Sequence, residues 1–155
     1  MIDFSEQAAA LKKKFQPDWY RAEGYQSEMA ALWGYTLPHP DVNGFGVIVQ
    51  HWETVTVKSE LNYHYAINAV QTPNGLWTYG YDYHTGTAGG GSAPMVTDTL
   101  GFESLEELTG TVFAKKIVQL KEEVNKDHTD PKHRASLNKL VTALYDALTP
   151  QLEML

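Results

Sequence analysis

The sequence predicts an α+β protein: a three-stranded antiparallel meander packed against N-terminal helices and two C-terminal helices. Three observations carry this expectation. Apolar residues recur at helical spacing at both ends of the chain. Between them, residues 45–84 are rich in Val, Thr and Tyr and alternate with a period of two. Turn-forming residues separate the two regimes at Leu37–Gly44, "LPHPDVNG". At 155 residues the chain is expected to form one domain over 1–155. Within it, 1–36 is helical, 45–84 a sheet, 85–101 a glycine-rich loop and 102–149 two helices.

At the N-terminus, Ser5 is placed as a helix cap, with Phe4, Ala8, Leu11 and Phe15 on one face and Pro17 as the stop. Asp18–Trp33 predicts a second helix, weakened by Gly24 and Gly34. The first strand is expected over Gly46–Lys58 and the second over Leu61–Gln71. Thr72-Pro73-Asn74-Gly75 is a strong turn: proline presets the first central position and glycine accepts the left-handed conformation. Trp77, Tyr79, Tyr81 and Tyr83 occupy alternate positions of the third strand. With Thr72 opposite Leu76, every odd position of the hairpin shares one face, and His64 falls opposite His84. Keeping Val55 and Val57 on that face calls for a three-residue link over Ser59–Leu61. Ser104 and Glu107 have capping-box spacing before the next helix, which Gly110 is expected to split. Asp130 and Pro131 open the last helix, with Leu137, Leu140, Val141, Leu144 and Leu148 as its stripe.

Composition excludes several classes of function. There is no cysteine, hence no disulfide, thiolate metal site or cysteine nucleophile. No apolar run is long enough to cross a bilayer, and the first residues lack the apolar region of a secretory leader. A cytoplasmic location without membrane contact is expected. The net charge of −7 argues against direct nucleic-acid binding. Between Asp41 and Thr111 there are eight acids (Asp41, Glu53, Glu60, Asp82, Asp98, Glu103, Glu106, Glu107) against one base, Lys58. The middle of the chain therefore carries a negative field, suited to solubility or to a cationic groove on a protein partner.

The sequence offers few candidates for chemistry. The alternating aromatics suit base stacking, but no Lys or Arg lies between Gly75 and Ala114, so a core face is expected instead. "GTAGGGSAP", residues 86–94, lacks the Gly-Lys-Ser/Thr ending of a phosphate loop and reads as a mobile connector or docking loop. His64, Asp82 and His84 share a strand face and form the alternative site, for a hydrolase or metal-dependent enzyme. His128 and His133 are expected at the surface. No catalytic triad or cofactor fingerprint stands out. No catalytic residue, metal or cofactor is therefore assigned.

Trp77-Thr78-Tyr79-Gly80, Gly89-Gly90-Gly91-Ser92-Ala93-Pro94 and Phe102-Glu103-Ser104-Leu105-Glu106-Glu107 together resemble a known pattern. Small proteins of phages, plasmids and their hosts carry a W-x-x-G strand, a GG-x-S-x-P loop and an S-x-E-E helix. The resemblance covers about residues 62–125 and carries over no catalytic residue. It implies a mobile-element origin, and with it an anti-CRISPR-like or other anti-defence role. The expected function is then a non-enzymatic acidic inhibitor of a host protein with a basic nucleic-acid-binding surface, such as a CRISPR effector. A structural or oligomerisation module is a further alternative, and the inhibitor itself is expected as monomer or homodimer. The expected contact residues are Asp82, Gly89, Gly90, Gly91, Ser92, Asp98, Glu103, Glu106 and Glu107.

Overall fold

Helical and alternating segments fall largely where periodicity places them. In the computed structural model, which describes residues 1–153 and side chains to residue 148, the elements run in chain order. They are β1 (Ile2–Asp3), α1 (Ser5–Lys14), α2 (Glu23–Leu32), β2 (Glu53–Glu60), β3 (Tyr63–Gln71), β4 (Trp77–Thr85), β5 (Ala88–Ser92), β6 (Leu100–Gly101), α3 (Leu105–Val124) and α4 (Pro131–Glu153). The class is α+β, as the sequence predicts. The main sheet has four antiparallel strands, in the order β2-β3-β4-β5, and β1 pairs with β6 in a second, two-stranded sheet.

The fourth strand corrects the expected glycine loop. Gly89, Gly90 and Gly91 pair with His84, Tyr83 and Asp82 of β4. The glycines are needed there. A Cβ on Gly89 would stand 2.8 Å from the His84 ring, one on Gly91 2.7 Å from the Tyr81 carbonyl oxygen, and one on Gly90 3.2 Å from the Tyr83 ring. Side chains of β4 lie over bare backbone, which replaces the contacts the missing side chains would have made.

The β3–β4 turn forms as expected: the Thr72 N–H donates to the Leu76 carbonyl at 2.8 Å, and Gly75 has φ +87°. The link from β2 to β3 is shorter than expected. It is Leu61–Asn62, with Asn62 in the left-handed conformation at φ +65°, which asparagine tolerates. A link one residue shorter shifts the parity of β2 against β3, because side chains alternate with a period of two. Residues 46–52 are irregular, so the first strand begins later than its composition suggests.

The contacts divide into two compact units. The first comprises Met1–Glu53, Asn68–Gly80 and Ala93–Leu105. Its core holds Trp33, Tyr35, Ile48, Val70 and Val96, with Phe4 packed against it. The buried Trp33 indole N–H donates to the carbonyls of Val96 at 3.0 Å and Asp98 at 3.2 Å. Phe4 meets its ring edge-on at 5.1 Å. Burial, with a smaller contribution from Asp41, pushes the Tyr35 hydroxyl up to about 12.

The second unit comprises Thr54–Ile67, Tyr81–Ser92 and Glu106–Leu155. The helix α3 runs unbroken through Gly110, against expectation. Leu108, Val112, Phe113, Ile117 and Leu120 give it a continuous buried stripe, and burial of such a stripe outweighs the ~1 kcal/mol helical cost of one glycine. In α4, Leu137, Leu140 and Leu144 are fully buried. Asp130 caps α4 as predicted, accepting from the N–H groups of Lys132 at 2.8 Å and His133 at 3.3 Å. Replacing Asp130 with Ala should lower stability by about 1 kcal/mol. Urea denaturation would measure it, and an unchanged midpoint would contradict the cap.

No described helix is long and apolar enough to cross a membrane.

Candidate ligand cleft and exposed strand edge

Two features of the second unit bring chemistry-bearing side chains together. The first is the edge of the main sheet. All five residues of β5 are exposed, and β5 has one strand neighbour, β4. Strand alternation sends Tyr81 and Tyr83 to one face and Asp82 and His84 to the other. On the β5 side, glycines stand opposite Asp82, Tyr83 and His84, and Ser92 opposite Tyr81. Tyr81 is 37% exposed, and the Asp82 carboxylate about half exposed. The edge thus combines bare backbone with tyrosine, aspartate and serine.

On the Asp82 face, the His64 Nε2 lies 3.1 Å from Asp82 Oδ1, and the His64 and His84 rings are 5.4 Å apart. The cross-strand proximity inferred from parity is therefore present. Among the described residues, however, no group of three or more His, Cys, Asp or Glu side chains is disposed to hold a metal ion. His64 and Asp82 are hydrogen-bonded on this face, with the His84 ring beside them.

The second feature was not legible as a site. A cleft of about 790 Å³ lies where the turn-proximal ends of β2, β3 and β4 meet α3 and the first turns of α4. Volumes of this order accept small organic ligands. Tyr63 and His133 share a hydrogen bond of 2.6 Å between the hydroxyl and Nδ1. Gly86, at φ +78°, brings the backbone against this pair: a Cβ there would be 3.0 Å from the Tyr63 hydroxyl and 3.4 Å from His133 Nδ1. His133, expected at the surface, is half-buried in the cleft wall.

Lys116 crosses the tyrosine face. Its ammonium stands 4.5 Å from the centre of the Tyr83 ring and 5.1 Å from that of Tyr65. The Tyr65 and Tyr81 rings stack at 6.2 Å, and Tyr81 and Tyr83 at 6.3 Å. A cation thus does lie over these aromatics, supplied by α3 from outside the cation-free stretch. Burial pushes the Lys116 ammonium below the usual lysine range, since removing its water disfavours the charged form.

The acids of the cleft are mostly engaged. Glu123 is held below the usual carboxylate range first by its hydrogen bond with Lys126. Asp130 is the α4 cap. The Ser136 hydroxyl beside Glu60 holds that carboxyl low, with Lys139 contributing next, its Nζ 3.5 Å from Oε2. Glu60 Oε1, by contrast, is buried and closes no hydrogen bond.

The remaining acids expected to contact a partner are divided between the two units. Asp82, Glu106 and Glu107 belong to the second unit, and Asp98 and Glu103 to the first. Glu103 and Glu106 are exposed, and Glu107 is half-buried. Asp98 turns inward: its carboxylate accepts the Met95 N–H at 2.8 Å and faces the Thr78 hydroxyl at 3.5 Å. Burial raises its carboxyl to about 6, against the lowering effect of those two bonds. Its role is to order the backbone at residues 95–98.

Comparison with protein-family models, with curated proteins and with solved structures gives no match.

Proposed function

We propose that this chain is a non-enzymatic binding protein that inhibits a host protein carrying a basic nucleic-acid-binding surface, in the manner of an anti-CRISPR or similar mobile-element protein. The β5 edge with the exposed Tyr81 and Asp82 is the observation that carries the reading. Tyrosine, glycine and serine are the residues of adaptable protein-binding surfaces: rigid aromatic area beside polar backbone. An exposed edge strand also accepts an added strand from a partner through main-chain hydrogen bonds. The net charge of −7 favours approach to a cationic surface. Within the second unit the contact surface comprises Asp82, Gly89–Ser92, Glu106 and Glu107; Glu103 belongs to the first unit, and Asp98 serves the fold.

The test begins with a tagged pull-down from bacterial lysate, with and without nuclease, read by mass spectrometry. A nucleic-acid enzyme recovered in both conditions supports the proposal when Asp82→Lys/Glu106→Lys/Glu107→Lys weakens its binding. For that variant the association rate should fall on the order of tenfold at low salt, with a flatter salt dependence. Full affinity of the reversed-charge variant at low salt would discard the electrostatic basis.

A further inference from the structure

We infer that two copies of this chain pair through their β5 edges, antiparallel and centred on Gly90, to form a two-fold symmetric dimer. β5 is the outer strand of the main sheet and all five of its residues are exposed. Among the described residues, its side away from β4 has no strand neighbour. Edge strands that stay unpaired are guarded by lysine, proline, bulges or other charges. Ala88-Gly89-Gly90-Gly91-Ser92 contains no charged residue and no proline. Its glycines also let a second backbone approach closely.

The groups beside this edge select a second copy as the occupant. A two-fold axis normal to the sheet pairs the strand with itself about one residue, which keeps like faces together. Centred on Gly90, all five residues pair: Ala88 with Ser92 of the second copy, Gly89 with Gly91, and Gly90 with itself. Within each chain, Asp82 lies beside Gly91 and His84 beside Gly89. Asp82 of one copy therefore shares a cross-strand row with His84 of the other, and the symmetry makes two such rows. Centring on Gly89 instead would align the two His84 residues, and centring on Gly91 the two Asp82 residues. Either would pair only three residues of each β5. The side chains of β4 also reach the edge. An ideal Cβ on Gly89 would stand 2.8 Å from His84 Nε2, and one on Gly90 3.4 Å from the Tyr83 hydroxyl. In the dimer the two Tyr83 hydroxyls flank the axis, on the face opposite the Asp82–His84 rows. The acid opposite the base, the full overlap and the unguarded backbone all select one register.

The inference shares the open β5 edge with the function proposed above but not the host partner, and it is tested on the purified full chain alone. Sedimentation velocity from micromolar to millimolar protein should show a monomer–dimer equilibrium. The register is read by cross-linking. The chain has no cysteine, so introduced thiols are the only ones present. Ala88→Cys and Ser92→Cys each replace a small, exposed side chain. Directly opposed residues of antiparallel strands lie within disulfide reach. On mild oxidation, a mixture of the two variants should therefore form covalent dimer about tenfold faster than either variant alone. Asp82→Lys and His84→Glu should each weaken dimerisation about three- to tenfold, and the two combined should restore it, since unlike charges then face each other again. Urea midpoints of all variants separate lost pairing from lost folding. A chain that sediments as monomer throughout overturns the inference and leaves the edge to the host partner. It is equally overturned if a dimer forms but the mixture cross-links no faster than the single variants, or if the combined charge exchange weakens the dimer as much as either substitution alone.

Discussion

Replacing Trp33 with Ala should destabilise the protein by about 3–5 kcal/mol, a large part of the 5–15 kcal/mol that typically holds a domain together. The side chain is fully buried at the centre of the first unit's core. Its removal leaves a cavity bounded by Phe4 and by Gly101, whose ideal Cβ position lies 3.1 Å from the indole ring. Backbone this close cannot collapse into the space without breaking the β1–β6 pairing at Gly101. Two carbonyls, those of Val96 and Asp98, also lose the indole donor. Trp33→Phe retains most of the volume and loses the donor, so it should cost less than half as much. Urea denaturation followed by far-ultraviolet circular dichroism measures both. A Trp33→Ala shift below 1 kcal/mol would mean that the 95–98 segment is held by other contacts.

The second large effect is a pH dependence from Asp98, in the same segment. Its carboxyl is raised by burial to about 6, above the ordinary value of 3.8. The folded state therefore binds the proton more tightly than the unfolded chain does. This contribution to stability is fully present below about pH 4 and is lost as pH rises through 6. Its amplitude is up to about 3 kcal/mol, from two pKa units at about 1.4 kcal/mol each. Asp98→Asn removes the titration while keeping an oxygen to accept the Met95 N–H. The stability of the parent relative to Asp98→Asn should fall between pH 4.5 and 8. Taking this difference cancels contributions common to both proteins. A difference constant across that range would show that Asp98 does not carry an elevated pKa.

Local chemistry was legible where local chemistry decides the outcome. Asp130-Pro131 specifies a helix start because an aspartate side chain satisfies orphan amides and proline has no amide to orphan. Thr72–Gly75 specifies a turn because Gly75 supplies the positive φ. The proximity of His64 to His84 followed from the turn by parity alone. The same parity argument failed at β2, where Asn62 accepted a left-handed conformation and shortened the link by a residue. Gly110 was read as a break, yet its neighbours' burial carries α3 through it.

The site depended on contacts distant in sequence. His133 and Tyr63 come from different ends of the second unit, and neither has a spacing motif that signals the other. Lys116 lies just beyond the cation-free stretch, so a linear count separates it from the tyrosines that it covers. Asp98 resembles any acid of the acidic middle until burial distinguishes it.

Periodicity and turn residues, which act over a few positions, specify the α+β class, the aromatic hairpin and the amphipathic stripe and cap of α4. Contacts distant in sequence make the glycine triplet an edge strand and bring Lys116, His133 and Glu60 into one cleft. Glycine has no local preference strong enough to choose strand over loop; the rings of Tyr83 and His84 make that choice by lying over its backbone. Likewise, the state of a buried charge depends on what surrounds it in space, and only the folded chain brings those surroundings together.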